Sequence, residues 1–190
     1  MRPAAHPKRH PVRKPGRRNG GIVAAAIVAL AIGLAAPAGA VAAEAPIPGT
    51  VSWSLVHEAG QGHCLAHAFF PRSRIALGFV SDGEHVGVAL VHAAWRLREW
   101  QEYDVAFRFD GGPAVTARLT ATDATAMATE LDPEVERGFR RAAAVEIVAP
   151  GARTGGRLSL AGSSRAIDYV RACGQIAALG IEERDASIRD

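Results

Sequence analysis

Lysine is nearly missing from this 190-residue chain, and its placement excludes whole classes of chemistry. Both lysines, Lys8 and Lys14, lie before Glu44, so the rest of the chain has none. A Schiff-base or pyridoxal lysine, a Ser-x-x-Lys nucleophile and a Walker A lysine are therefore excluded there. No Gly-x-Ser-x-Gly elbow and no His-Glu-x-x-His zinc helix occur either. Aromatic residues make up only 6%, and cysteines number two, so one intramolecular disulfide is the most the chain can form. No cofactor motif is present.

Acid is missing from the first 43 residues, which carry seven of the 22 basic residues: Arg2, Lys8, Arg9, Arg13, Lys14, Arg17 and Arg18. All 19 acids follow, so the overall charge of +3 becomes a formal −4 from Glu44 onward. The basic character belongs to a leader, and a nucleic-acid partner is not expected.

That leader has three parts. A basic stretch is followed by an apolar segment from Ile22 to Ala36, then Pro37 and the small residues Ala38-Gly39-Ala40-Val41-Ala42-Ala43. This is the order of a secretory signal peptide, with cleavage expected after Ala43 or Ala40. The alternative is an uncleaved membrane anchor formed by residues 22–43, which is about long enough to cross a hydrocarbon core of roughly 30 Å. Pro37 and the Ala/Gly content favour removal. Export to the periplasm or cell surface is expected, with no membrane span in the mature form.

An oxidising compartment makes Cys64 and Cys173 a disulfide pair, joining the beginning and end of the mature domain. The expected organisation is a signal peptide over 1–43, an entry linker over 44–50, a β-rich domain over 51–176 and a C-terminal tail over 177–190.

Within that domain, period-two alternation in short runs separated by turn residues predicts a mainly β fold. The expectation is one antiparallel β-sandwich or barrel-like domain with one or two short helices. Tyr103, Val105, Phe107 and Phe109 alternate with polar residues, and Asp110-Gly111-Gly112-Pro113 turns the chain into Val115, Ala117 and Leu119. An earlier hairpin can be registered through the loop Ala59-Gly60-Gln61-Gly62. That loop sets Glu58 opposite His63, His57 opposite Cys64 and Leu55 opposite Ala66. Trp53, Leu55, Cys64, Ala66 and Ala68 then share the core face. Further strands are expected over Arg74 to Val80, Val86 to Ala93, Leu97 to Glu99, Ala143 to Val148 and Arg157 to Leu160.

Two segments switch to helical spacing. Asp132 is an N-cap with Pro133 at the first helical position, and Val135, Phe139 and Ala142 share a face. Acid at Glu134 and Glu136 suits a first turn. The second helix starts after Gly162 with Ser163 as cap, and Ala166, Ile167, Val170 and Cys173 fall on one side.

The string Leu158-Ser159-Leu160-Ala161-Gly162-Ser163-Ser164-Arg165-Ala166-Ile167, with Trp53 and Gly62-His63-Cys64 after a leader, resembles the invasion-associated locus B family of small exported alphaproteobacterial proteins. The resemblance spans the mature domain. It implies a periplasmic or outer-surface β-rich domain associated with host-cell entry, and brings no catalytic residue. Further cysteines are expected in that family, so the two found here are a departure from it.

His57, His63, His67, His85 and His92 raise the question of a metal. On a strand, His63 and His67 would lie about 13 Å apart, too far for one ion, so no metal ligand is assigned. The remaining lead is Trp95-Arg96-Leu97-Arg98-Glu99-Trp100. With Trp95 and Leu97 inside, Arg96, Arg98 and Trp100 face outward as a partner-binding patch. The sequence therefore reads as an exported, non-enzymatic binding or structural domain whose partner is a protein or envelope component. The rival reading is a small periplasmic metal-binding protein or hydrolase using His and Asp.

Overall fold

Alternation of apolar and polar residues builds one sheet. The computed structural model describes residues 43–57, 63–149 and 157–188. Among them, strands β1 (Ala43–Pro46), β2 (Ser54–His57), β3 (Cys64–Phe70), β4 (Ile75–Ser81), β5 (Val86–His92), β6 (Glu102–Phe109), β7 (Ala114–Ala121), β8 (Ala126–Glu130), β9 (Ala144–Val148) and β10 (Arg157–Ser159) accompany helices α1 (Pro133–Arg141) and α2 (Ser163–Ile188). The leader up to residue 42 and the loop from Glu58 to Gly62, with the expected Glu58–His63 pairing, lie outside the described residues.

The strands form a single antiparallel sheet in the order β1-β2-β3-β4-β5-β8-β7-β6-β9-β10. It is not closed, and β1 and β10 are its edges. The register expected for the first hairpin is the one found, with Leu55 opposite Ala66 and His57 opposite Cys64. The second is found too, with Tyr103 opposite Leu119, Val105 opposite Ala117 and Phe107 opposite Val115. Its turn uses positive φ at Asp110 (49°) and Gly111 (76°). The Asp110 carboxylate accepts from Ala143 N at 3.1 Å and Ala144 N at 2.9 Å, which anchors the turn to the start of β9.

The sheet curls around its inner face. Phe79 of β4 and Phe107 of β6 each lie 5.3 Å from the ring of Phe139 on α1. Those two strands are four ladder steps apart, about 19 Å in a flat sheet, so only a curled sheet lets one ring touch both. Trp53 stacks on Phe79 at 5.1 Å and donates its indole N–H to Ala161 O at 3.1 Å. The outer face carries two small buried apolar clusters, Leu65 and Val80 with Val56, and Ala89, Ala126 and Ala128 with Val91, while Phe69 on the same side of β3 as Leu65 is exposed.

Helix α1 starts as the sequence expects. Asp132 accepts from Glu134 N at 2.8 Å, Pro133 follows, and Val135 and Phe139 are buried. Helix α2 buries Ala166, Ile167 and Val170, and Cys173 reaches Cys64 with the Cα atoms 5.9 Å apart. Charged groups fasten the two helices. Glu136 accepts from Arg140 Nε at 2.7 Å and from Arg171 Nη2 at 3.1 Å, while Arg140 Nη1 donates to Asp168 at 2.7 Å. Partial burial opposes the charge on Arg140, but those two carboxylates outweigh it and raise its pKa.

Several expectations are corrected. The entry linker 44–50 is in part a strand, because Ala43 to Pro46 pairs with β2 at a sheet edge, where proline is tolerated. Strand β8 was not expected. Ser163 does not cap α2 as an acceptor: its buried hydroxyl is the donor, 2.5 Å from Phe139 O and 2.8 Å from Leu160 O, tying the end of α1 to the start of α2. The Gly162 carbonyl accepts the first helical bond instead, from Ala166 N at 2.9 Å. Nor is α2 short, since it runs 26 residues and takes up most of the segment expected as a tail.

Candidate functional site

The expected patch lies on the loop between β5 and β6, and this loop is not a strand. Leu97 to Glu99 fails to form one because the segment meets its neighbour through isolated bonds. Leu97 N donates to Ala124 O at 2.9 Å and Trp100 N to Ala121 O at 2.8 Å. What they dock on is the β7–β8 turn, itself organised by Asp123, whose Oδ1 accepts from Ala126 N at 2.9 Å and from the Thr125 hydroxyl at 2.8 Å. A turn follows in which Gln101 N donates to Arg98 O at 3.0 Å and the Arg98 N–H donates to the Tyr103 hydroxyl at 3.0 Å.

This frame forces Trp100 into the left-handed region at φ 65°, which is rare for a bulky side chain. Its ring is 64% exposed, whereas Trp95 is 4% exposed in the core beside His92. The inside and outside assignment from alternation is therefore the one found, though a turn produces it and not a pleat. Arg96 and Arg98 are exposed. Arg96 folds back on its own turn, its Nη1 donating to Trp95 O at 2.7 Å and Ala93 O at 3.2 Å. The loop thus presents an indole ring with Arg98 nearby in sequence, and Arg96 serves partly as a brace.

The histidines are dispersed. His63 and His92 are buried, at 6% and 4% exposure. His92 ends β5 on the core side, and its Nδ1 accepts from Ala94 N at 3.1 Å. His85 sits among Asp82, Glu84 and Glu130 at 3.7 to 3.9 Å. Partial burial opposes the charge of Asp82, but the backbone N–H groups of His85 and Glu84 hold its pKa below the usual value. Among the described residues no three His, Cys, Asp or Glu side chains converge as a metal site. A cavity of about 380 Å³ opens between β7, β8 and α1, lined by Arg118, Glu130, Asp132 and Glu134 among others, and no histidine lines it.

His67 lies 3.4 Å from Glu44 of the edge strand β1. Burial lowers its pKa below 6.5, outweighing the opposing pull of the Glu44 carboxylate. The fold therefore favours the neutral ring. That contribution is fully present above the unfolded value of about 6.5 and is lost as pH falls through the lower folded value. The unfolding free energy in urea should fall as pH drops below about 6.5, and His67→Gln should flatten that part of the profile. Identical slopes in both proteins would show that another group controls it.

Sequence reasoning overlooked one exposed apolar set, Tyr169, Ile176 and Leu179 on α2. The helical spacing was there to be read, but the expected tail began at position 177, so Leu179 was assigned to it and Ile176 stood at the last position before it. No helix among the described residues is long and apolar enough to cross a membrane.

No protein-family model and no curated protein matches this chain. Among solved structures it is similar to the crystal structure of invasion associated protein b from Bartonella henselae, with a TM-score of 0.48 and 16% identity over 69% of this chain and 97% of that one. The likeness is a weak one of fold.

Proposed function

We propose that this chain is an exported, non-enzymatic binding or structural domain of the periplasm or cell surface, engaging a protein or envelope component through the loop that carries Trp100. The observation that carries this reading is a large apolar ring, 64% exposed, held on a left-handed backbone by a surrounding set of hydrogen bonds. An exposed indole gains little for the fold, and left-handed backbone costs about 1–2 kcal/mol in a residue other than glycine. Tryptophan is also the residue type most enriched among the anchors of protein interfaces. The Cys64–Cys173 bridge supports export, because such bonds persist where the surroundings are oxidising.

Co-purification from envelope extract tests this. The wild-type protein should retain a specific component that Trp100→Ala loses, while the unfolding free energy of the variant stays within about 0.5 kcal/mol, as for other surface substitutions. Equal retention by both proteins would remove the loop from the function.

A further inference from the structure

We propose that the cleft between β7 and β8 is a strand-acceptor site, where an extended segment of a partner protein, with basic residues at alternate positions, pairs with the free edge of β7. Strand β8 pairs with β5 over its whole length, from Gly87–Glu130 to Val91–Ala126. With β7 it makes only two residue pairs, Thr120–Ala128 and Ala121–Met127. The strands part because Leu131 N, donating to Val86 O at 2.8 Å, keeps the end of β8 on β5, and Asp132 and Pro133 then turn the chain into α1. Strand β7 instead stays with β6 back to Ala114. The residues from Ala114 to Leu119 thus have a strand on one side alone, and the cavity of about 380 Å³ occupies the other.

Main-chain groups alternate in direction along a strand, so the register decides which of them face the gap. Ala121 turns toward the β6 side, its N–H donating to Gln101 O at 2.9 Å, whereas Thr122 N turns the other way, to Ala126 O at 3.0 Å. Thr120, Arg118, Thr116 and Ala114 therefore present N–H and C=O to the β8 side, and before Thr120 no strand meets them among the described residues. Such an edge is a template for an added strand. Val115 and Ala117 pack on the core from alternate positions, and with Val135 of α1 they give the cleft an apolar floor. Its charge is acidic. Arg118 lies 3.6 Å from Glu102 and 3.4 Å from Asp104 on β6, so its charge is already answered there. Glu130, Asp132 and Glu134 line the same cleft, and of these Glu130 meets the His85 ring at 3.8 Å while Asp132 uses one oxygen to cap α1. A strand that alternates apolar and basic residues matches both the floor and the charge. The Trp100 loop is a separate surface, bonded at Ala121 beyond the closed end of the cleft.

Hydrogen exchange of the protein as isolated from the cell tests the edge itself. The Thr116 and Arg118 amides should exchange at least about tenfold faster than those of Val115 and Ala117, which face β6. An acetylated and amidated peptide alternating valine and lysine should bind and slow both amides, and a counterpart alternating valine and glutamate should not. Thr116→Pro removes one cleft-facing N–H and no bond to β6, and should weaken the lysine peptide by about tenfold. Glu134→Lys should weaken the lysine peptide and admit the glutamate one, a reversal that no folding defect produces. Equally slow exchange at all four amides overturns the proposal, because the edge would then be paired. So does a lysine peptide that fails to bind up to about 1 mM, or one that binds without slowing Thr116 and Arg118, since charge alone would then hold it. Self-association of the peptide-free protein that Thr116→Pro abolishes would assign the cleft to a second copy and would equally overturn it.

Discussion

Replacing Cys64 and Cys173 together by alanine should lower the unfolding free energy by about 4 to 5 kcal/mol, the largest single loss available to this domain. The bridge closes a loop of 109 positions. Constraining a loop of that order removes denatured-state entropy worth about 4.7 kcal/mol on the chain-entropy model. A domain of ordinary size has only about 5–15 kcal/mol in hand. Cys64 is fully buried in β3, the third strand counted from the β1 edge, and Cys173 is on α2, so the bond also holds the C-terminal helix to that end of the sheet. Urea unfolding of the double variant should show a midpoint roughly 2 M lower, taking a slope of about 1–3 kcal/mol per molar. Reductant should leave the variant unaffected and move the wild type toward it. A loss below about 1 kcal/mol would mean that the denatured chain is already constrained near these positions, and the bridge would no longer explain the stability of the fold.

What could be read from the sequence follows the strength of local rules. The hairpin of β2 and β3 was legible because a short glycine-rich loop leaves little choice of pairing, and a slip of one residue would turn Trp53, Cys64 and Ala66 outward. The start of α1 was legible because Asp132-Pro133 states both a cap and a first turn. Strand β8 was not, because Ala126-Met127-Ala128-Thr129-Glu130 is written largely in residues that favour helices. It is a strand because β5 and β7 flank it and because the centre of the outer face accepts only small side chains such as Ala126 and Ala128. Leu97 to Glu99 alternates well enough for a strand, yet the bonds to Ala121 and Ala124 and the left-handed Trp100 make it a docked loop. The exposure of Trp100 against the burial of Trp95 was thus legible, while the loop's geometry depended on the Asp123 turn more than twenty residues downstream, which no local pattern announces. Ser163 shows the same limit. A serine before a helix reads as an acceptor, and only the arrival of the α1 carbonyl of Phe139 makes it a donor.

Phe139 is where the curled sheet is held from inside, and truncating it should cost about 3–5 kcal/mol. The side chain is fully buried and meets Phe79, Phe107 and Phe109 edge to face, at 5.3, 5.3 and 5.2 Å between centroids. Phe79 belongs to one half of the sheet and Phe107 and Phe109 to the other, so the ring supports both halves at once. Phe139→Ala removes this wedge, and the ladder on either side limits how far the cavity can collapse. Phe139→Leu keeps most of the volume and loses the edge-to-face geometry, which is worth about 0.5–1.5 kcal/mol per aromatic pair beyond area. The leucine variant should therefore fall between wild type and alanine, and the gap between the two variants measures the filling of space alone. Urea melts of the three proteins give both quantities. An alanine variant less than about 2 kcal/mol below wild type would mean that the two halves close on each other without the helix, and that the curl is set by the sheet itself.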